Sequence, residues 1–228
     1  MKAAPGSWGA LLLGIALVPL SAGAQDFSNY RGFQLGSTIG QAAKQSGWRE
    51  ADLTTTHRRP ALIQELEWRP VSRFALDNKK VDPVRSLTLR FYNGRLFQII
   101  STYEADRIEG LTEGDLVDGI SKDYGRAIKP RPEVPYHSNY GESAAGIARW
   151  EKGLYSCDLV RTGDRSSFAL ILSIKQTEAM AQAAIVESQR LDAIEAPQRA
   201  IDSQVEREAQ DKAERNKART TNLPNFQP

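Results

Sequence analysis

The 228-residue sequence predicts an α+β fold. Three observations carry that expectation. Alternating apolar runs flank Asn93-Gly94. Two capped, helix-periodic segments are each followed by strand-like runs, and the composition turns charged and free of aromatic residues after Lys175 until Phe226. The expected layout is a helix followed by antiparallel strands, repeated twice, within a globular domain over residues 25–174. The two similar halves cover about 33–105 and 111–174. A charged C-terminal helix over 175–217, interrupted at Pro197, and a disordered tail over 218–228 complete the chain.

The stretch RSLTLRFYNGRLFQII, Arg85 to Ile100, reads as a hairpin. Asn-Gly suits a type I′ turn, in which both central residues need φ > 0. A regular two-residue loop sets Phe91 opposite Leu96, Leu89 opposite Gln98 and Leu87 opposite Ile100. Alternation then gathers Leu87, Leu89, Phe91, Leu96 and Ile100 on one face as the core. The other face is mixed and suits a partly wet surface: Ser86, Thr88, Arg90 and Tyr92 with Phe97, Ile99 and Tyr103.

The remaining elements follow in order. Asp26 to Leu35 is a lead-in strand. GSTIGQAAKQSG is a helix capped by Ser37 and stopped at Gly47. Leu53 to Arg59 is strand or loop, and in ALIQELEWR the residues Leu62, Leu66 and Trp68 share a face. Arg69 to Asp82 is a connection, with room for a short strand in RFAL. TEGDLVDGISKDY is a second helix with Thr112 and Asp115 as a capping box and Gly125 as its stop. Three prolines make Lys129 to Glu142 an exposed loop. Strand runs at 146–151, 154–161 and 167–174 form a meander.

Residues 1–24 read as a secretory signal peptide: Lys2, an apolar run from Trp8 to Leu20, and Ala22-Gly23-Ala24 as the cleavage site. Export with cleavage between Ala24 and Gln25 is expected, to the periplasm or beyond the cell, with no later membrane span. Without Lys2, 29 of the 30 Lys and Arg remain and nearly balance the 28 Asp and Glu. That gives no electrostatic case for nucleic acid. Cys157, the only cysteine, cannot form an internal disulfide and reads as a small buried hydrophobe.

The C-terminal helix has Ile201, Val205, Ala209 and Ala213 four apart, and a short imperfect heptad through Ala184, Leu191, Gln198 and Val205. It is read as a solvated single helix, with a dimer through it as the alternative. Pro197 should kink or break it.

FQLGSTIGQAAKQSG followed by LTLRFYNGRLFQI, with LVDGISKDYG as a second helix-to-Gly pattern, resembles the tandem helix-plus-sheet fold of the β-lactamase inhibitor proteins and the small outer-membrane assembly lipoproteins. The resemblance covers Phe33 to about Ile174. The chain lacks the lipobox cysteine of the one group and the disulfides of the other. The resemblance implies a non-enzymatic, protein-binding envelope module and carries over no binding residue.

Two segments are candidate binding surfaces. His57, Arg58 and Arg59 could grip a carboxylate or phosphate, or form a basic turn in water. Tyr136, His137, Asn139 and Tyr140 suit an adaptable recognition loop, and solvation explains them as well. Glu65 and Glu67 share a strand face and are read as solvent-facing. No phosphate loop, dinucleotide fingerprint, nucleophile elbow or metal-ligand spacing is present, so no cofactor is expected. The expected function is an exported, non-catalytic binding or assembly module of the bacterial envelope, with another envelope protein as partner. The alternatives are a periplasmic enzyme built on His57, His137 and Cys157 or a carboxylate, and a carrier of a small apolar ligand.

Overall fold

The computed structural model describes residues 26–49, 52–69, 83–136, 143–162, 167–225 and 227. The segments expected to be a signal peptide and an RFAL strand, and the residues His137, Asn139 and Tyr140, lie outside them. The α+β class holds. Two short strands, β1 (Asn29–Tyr30) and β2 (Phe33–Gln34), precede helix α1 (Ile39–Ser46). Strands β3 (Thr54–His57), β4 (Ile63–Trp68), β5 (Val84–Tyr92) and β6 (Arg95–Tyr103) follow. Helices α2 (Ala105–Ile108) and α3 (Glu113–Tyr124) lead to β7 (Glu133–Pro135), β8 (Ser143–Lys152), β9 (Tyr155–Arg161) and β10 (Phe168–Ile174). The long helix α4 (Lys175–Asn222) comes next. β3 to β10 form one antiparallel eight-stranded sheet in the order β3-β4-β5-β6-β10-β9-β8-β7, so the chain ends its strands at the middle of the sheet.

Local chemistry sets the helix ends. Thr38, one residue later than the expected Ser37, caps α1. Its hydroxyl accepts from the Gln41 N–H, and the Gln41 side chain returns a bond to the Thr38 N–H. Thr112 and Asp115 make the same box for α3, as the sequence predicts.

The hairpin turn is as expected, with Asn93 at φ 47° and Gly94 at φ 78°. A Cβ at Gly94 would meet nothing within 4 Å, so the demand for glycine there is a matter of backbone conformation alone. Gly94→Val should therefore cost about 1–3 kcal/mol, read as a lower urea midpoint. An unchanged midpoint would contradict the turn.

The register beyond the turn differs from the expected one. Phe91 pairs with Leu96, but Arg90 pairs with Gln98 and Leu89 with Ile99, leaving Phe97 as an extra residue. This β-bulge shifts the alternation of β6 by one. Ile99, not Ile100, joins Leu87, Leu89, Phe91 and Leu96 in the main core. The bulge lies where the loop before α1 docks: Leu96 donates to the Ser37 carbonyl, and its own carbonyl accepts from Gly36.

Both sheet faces carry buried apolar clusters. On the first face, Leu66, Leu159, Leu170 and Leu172 join the hairpin leucines beneath Phe27 from the turn before β1, Phe33 from β2, Ala42 from α1 and Tyr124 from α3. The second face, expected to be partly wet, is dry in two patches and open along a polar groove lined by Glu65, Glu67 and Thr88. Near β4 and β6 it carries Ile63 and Phe97 beneath Ala181, Ala184 and Ile185 of α4. Toward β7 it carries Ile100, Val160 and Ile171 with Val134. The expected exposed loop thus contains an edge strand, β7, whose Val134 is fully buried. Leu62 is exposed and Ile63 takes the buried position.

α4 spans 48 residues and runs through Pro197 without a break, and helical backbone extends to Asn222 within the segment expected to be a disordered tail. The turn before the proline is held from both sides. Arg59 binds Asp192 and Glu195, and Arg199 donates to the Asp192 carbonyl and carboxylate. Those bonds hold together a helix that the missing proline N–H would otherwise weaken. Among the described residues no helix is long and apolar enough to cross a membrane.

Candidate functional site: the root and arm of the C-terminal helix

The second face of the sheet is where charges converge. A chain of alternating charges leaves the first turn of α4 and returns to it. Lys175 donates to Glu151 at 3.2 Å, and Glu151 accepts from Arg149. Arg149 binds Asp158 at 2.7 Å, Asp158 accepts from Arg131 at 2.8 Å, and Arg131 donates to Glu178 at 3.0 Å. Register explains the meeting, because Arg149 pairs with Asp158 and Glu151 with Ser156 across β8 and β9. Asp158 is 1% exposed and Glu178 4%. Buried charges of this kind persist only when each is matched and hydrogen-bonded. The bond from Arg149 holds the Glu151 carboxyl below its ordinary pKa, with Lys175 adding to it.

Gly146 makes the Arg131 contact possible. A Cβ there would lie 1.9 Å from the Arg131 carbonyl oxygen. Only glycine lets that backbone lie against β8 and carry the guanidinium over to Asp158 and Glu178.

A second buried arginine stands on β5. Arg90, 1% exposed, donates to Glu65 at 2.9 Å and to Gln98 at 2.7 Å, and Gln98 donates to Ser173 beside the start of α4. Its guanidinium also lies 5.6 Å from the Phe97 ring. Glu65, expected to face solvent, is half-buried and neutralises Arg90. Glu67 is exposed and bonds Arg69.

The basic segment before β4 proves to be a clasp on α4. His57 Nδ1 lies 3.1 Å from the Ser188 hydroxyl. Arg59 takes Glu195 with both terminal nitrogens, at 2.6 and 2.7 Å, and reaches Asp192 at 3.0 Å. Bidentate geometry of this kind fixes orientation as well as distance. The arginine's hydrogen bonds hold the Glu195 and Asp192 carboxyls below their ordinary range. Arg58 is exposed. Of the two readings, Arg59 takes the carboxylate-gripping one, and the carboxylates it holds belong to this chain.

Tyr136 packs half-buried on the second-face cluster. It also lines a polar groove of about 560 Å³ with Glu65, Glu67, Arg69, Arg85 and Thr88. His57 and Cys157 do not converge. Cys157 is buried in the first-face core, where desolvation pushes its thiol well up, and His57 points to α4 on the other face. Their strands stand five places apart, about 24 Å across the sheet. Among the described residues no three His, Cys, Asp or Glu side chains gather as a metal site.

Past Glu195 the helix has no cover. Every described residue from 196 to 225 is exposed, including Ile201 at 56%, Val205 at 61% and Leu223 at 63%. At 1.5 Å per residue, the arm from Ala196 to Asn222 reaches about 40 Å. Sequence reasoning missed Ser188, Asp192, Glu195 and Glu178 as the docking set. The one signal it held was the phase of Ala181, Ala184 and Ile185 with Ser188, which marks a narrow apolar stripe confined to the first turns. No family model, curated protein or solved structure matches the chain.

Proposed function

We propose that the chain is an exported, non-catalytic binding or assembly module, whose sheet domain grips one end of α4 and presents the rest to a protein partner. The observation that carries this reading is the contrast within one helix. The root is tied down by Glu178, Ser188, Asp192 and Glu195, and the arm beyond it is helical, bare and dotted with apolar residues. Solvated helix of this length gains little from local pairs such as Gln198–Asp202 and Gln204–Glu208, each worth about 0.2–0.5 kcal/mol. A partner that covers the arm would supply the packing that usually stabilises a helix. Export from a signal peptide over residues 1–24 and the resemblance to envelope binding modules belong to the same proposal.

Truncation after Ala196 removes the arm, keeps the contacts of His57 and Arg59 with α4, and loses only the exposed bonds from Arg199 to Asp192. The truncated chain should melt within about 2 °C of the full chain, since exposed residues away from packing change stability little. Crosslinked and recovered from the native envelope, it should lose the partner that the full chain retains, and the recovered chain should begin at Gln25. Equal recovery of the partner by both chains would overturn the arm as the contact.

A further inference from the structure

The arm carries its charge in two blocks. Residues 202–211 hold Asp202, Glu206, Glu208 and Asp211 against Arg207 alone. Residues 212–219 hold Lys212, Arg215, Lys217 and Arg219 against Glu214 alone. All of them are exposed, and the helix is continuous across the boundary. At 100° per residue, Ile194, Ile201, Val205, Ala209, Ala213 and Leu223 fall on one broad face. Glu206 and Lys217 border that face on one side, and Glu208 and Arg215 border it on the other.

From this pattern we infer that the arm's partner is the arm of a second copy of the chain, laid antiparallel with its midpoint between Asp211 and Lys212. The inference rests on the arm being the contact element, as proposed above. In an antiparallel pair, the same border of each helix meets its counterpart. Glu206 then lies opposite Lys217 of the second copy, Glu208 opposite its Arg215, and the twofold axis repeats both pairs. The small Ala209 and Ala213 meet at the centre and allow close approach. Ile201 reaches the turn carrying Leu223, and Val205 packs on the aliphatic stem of Arg219. A parallel, in-register pair would instead lay acid on acid and base on base along the whole arm, which disfavours that arrangement. The occupant follows from complementarity: the arm's acidic block requires a basic helical block of matching length, and the same arm supplies one.

The test uses the full-length chain with cysteine substitutions, because Cys157 is fully buried. A mixture of Glu206→Cys and Lys217→Cys chains should form a disulfide-linked pair under mild oxidation, and Val205→Cys chains alone should not. Coupling of Val205→Cys to itself would overturn the antiparallel arrangement. Sedimentation equilibrium adds an independent reading. Glu206→Lys with Glu208→Lys should weaken self-association at least tenfold, and adding Arg215→Glu and Lys217→Glu to the same chain should restore it. A chain that stays monomeric at 100 µM would overturn the inference. If such a monomer still lost an envelope partner on truncation after Ala196, the pairing would fall and the arm's binding role would stand.

Discussion

Replacing Trp150 by alanine is expected to lower the stability of the fold by about 3–5 kcal/mol, the range for emptying a large aromatic site in a packed core. Trp150 is 1% exposed and lies on β8 across from Cys157 of β9. Its indole N–H donates to the Gly125 carbonyl at 2.9 Å and lies 3.3 Å from the Ser121 hydroxyl. The side chain therefore fills the core and also satisfies the C-terminal end of α3, where carbonyls lack helical partners. Trp150→Phe keeps most of the packing and loses the donor, so about 1–2 kcal/mol is expected. Urea denaturation followed by far-UV circular dichroism measures both. A loss under 1 kcal/mol for the alanine variant would mean that α3 does not pack on this residue.

The second large effect belongs to Asp158. Its carboxylate is 1% exposed and accepts from Arg149 and Arg131. Asp158→Ala leaves Arg149 buried with half its compensation and withdraws one of the two anchors of Arg131. The expected loss is about 3–5 kcal/mol, the usual consequence of removing one partner from a buried pair. Because Arg131 also binds Glu178, amide exchange in the first turns of α4 should quicken, while the hairpin around Gly94 stays protected. Asp158→Leu combined with Arg149→Met removes both charges and should recover at least half of the lost stability. If Asp158→Ala unfolds at the same denaturant concentration as the native chain, the charge chain does not hold the helix root.

The parts of the fold that were legible in the sequence are those fixed locally. The Asn93-Gly94 turn, the Thr112–Asp115 box, the Gly47 and Gly125 stops and the β8–β10 meander each depend on residues within a few positions of one another. The bulge at Phe97 was not legible. It answers to Gly36 and Ser37, far back in the chain, which take the backbone groups of Leu96. Leu96, Phe97, Ile99 and Ile100 are all apolar, so the pattern tolerates either register. The clasp was hidden for the same reason. His57 and Arg59 looked like a basic turn because their partners lie more than 130 residues later, on a helix whose docking face is mostly alanine and serine. Proline at 197 argued for a break on local grounds, and only the tertiary grip of Arg59 just ahead of it shows why the helix persists.

The continuous helix through Pro197 has a mechanical consequence. α4 is a cantilever fixed between Lys175 and Glu195, with a free length of about 40 Å. A sideways pull at Asn222 acts on the Arg59–Glu195 pair with the full lever length behind it, and the longer side of the lever lies outside the body. The load therefore enters the sheet at its edge, through the segment between β3 and β4, before it reaches the root, where α4 follows directly from β10 and Glu178 is held by Arg131. Torque at the tip is thus delivered first to an edge of the sheet, and the clasp, not the core, sets how stiffly the arm is held.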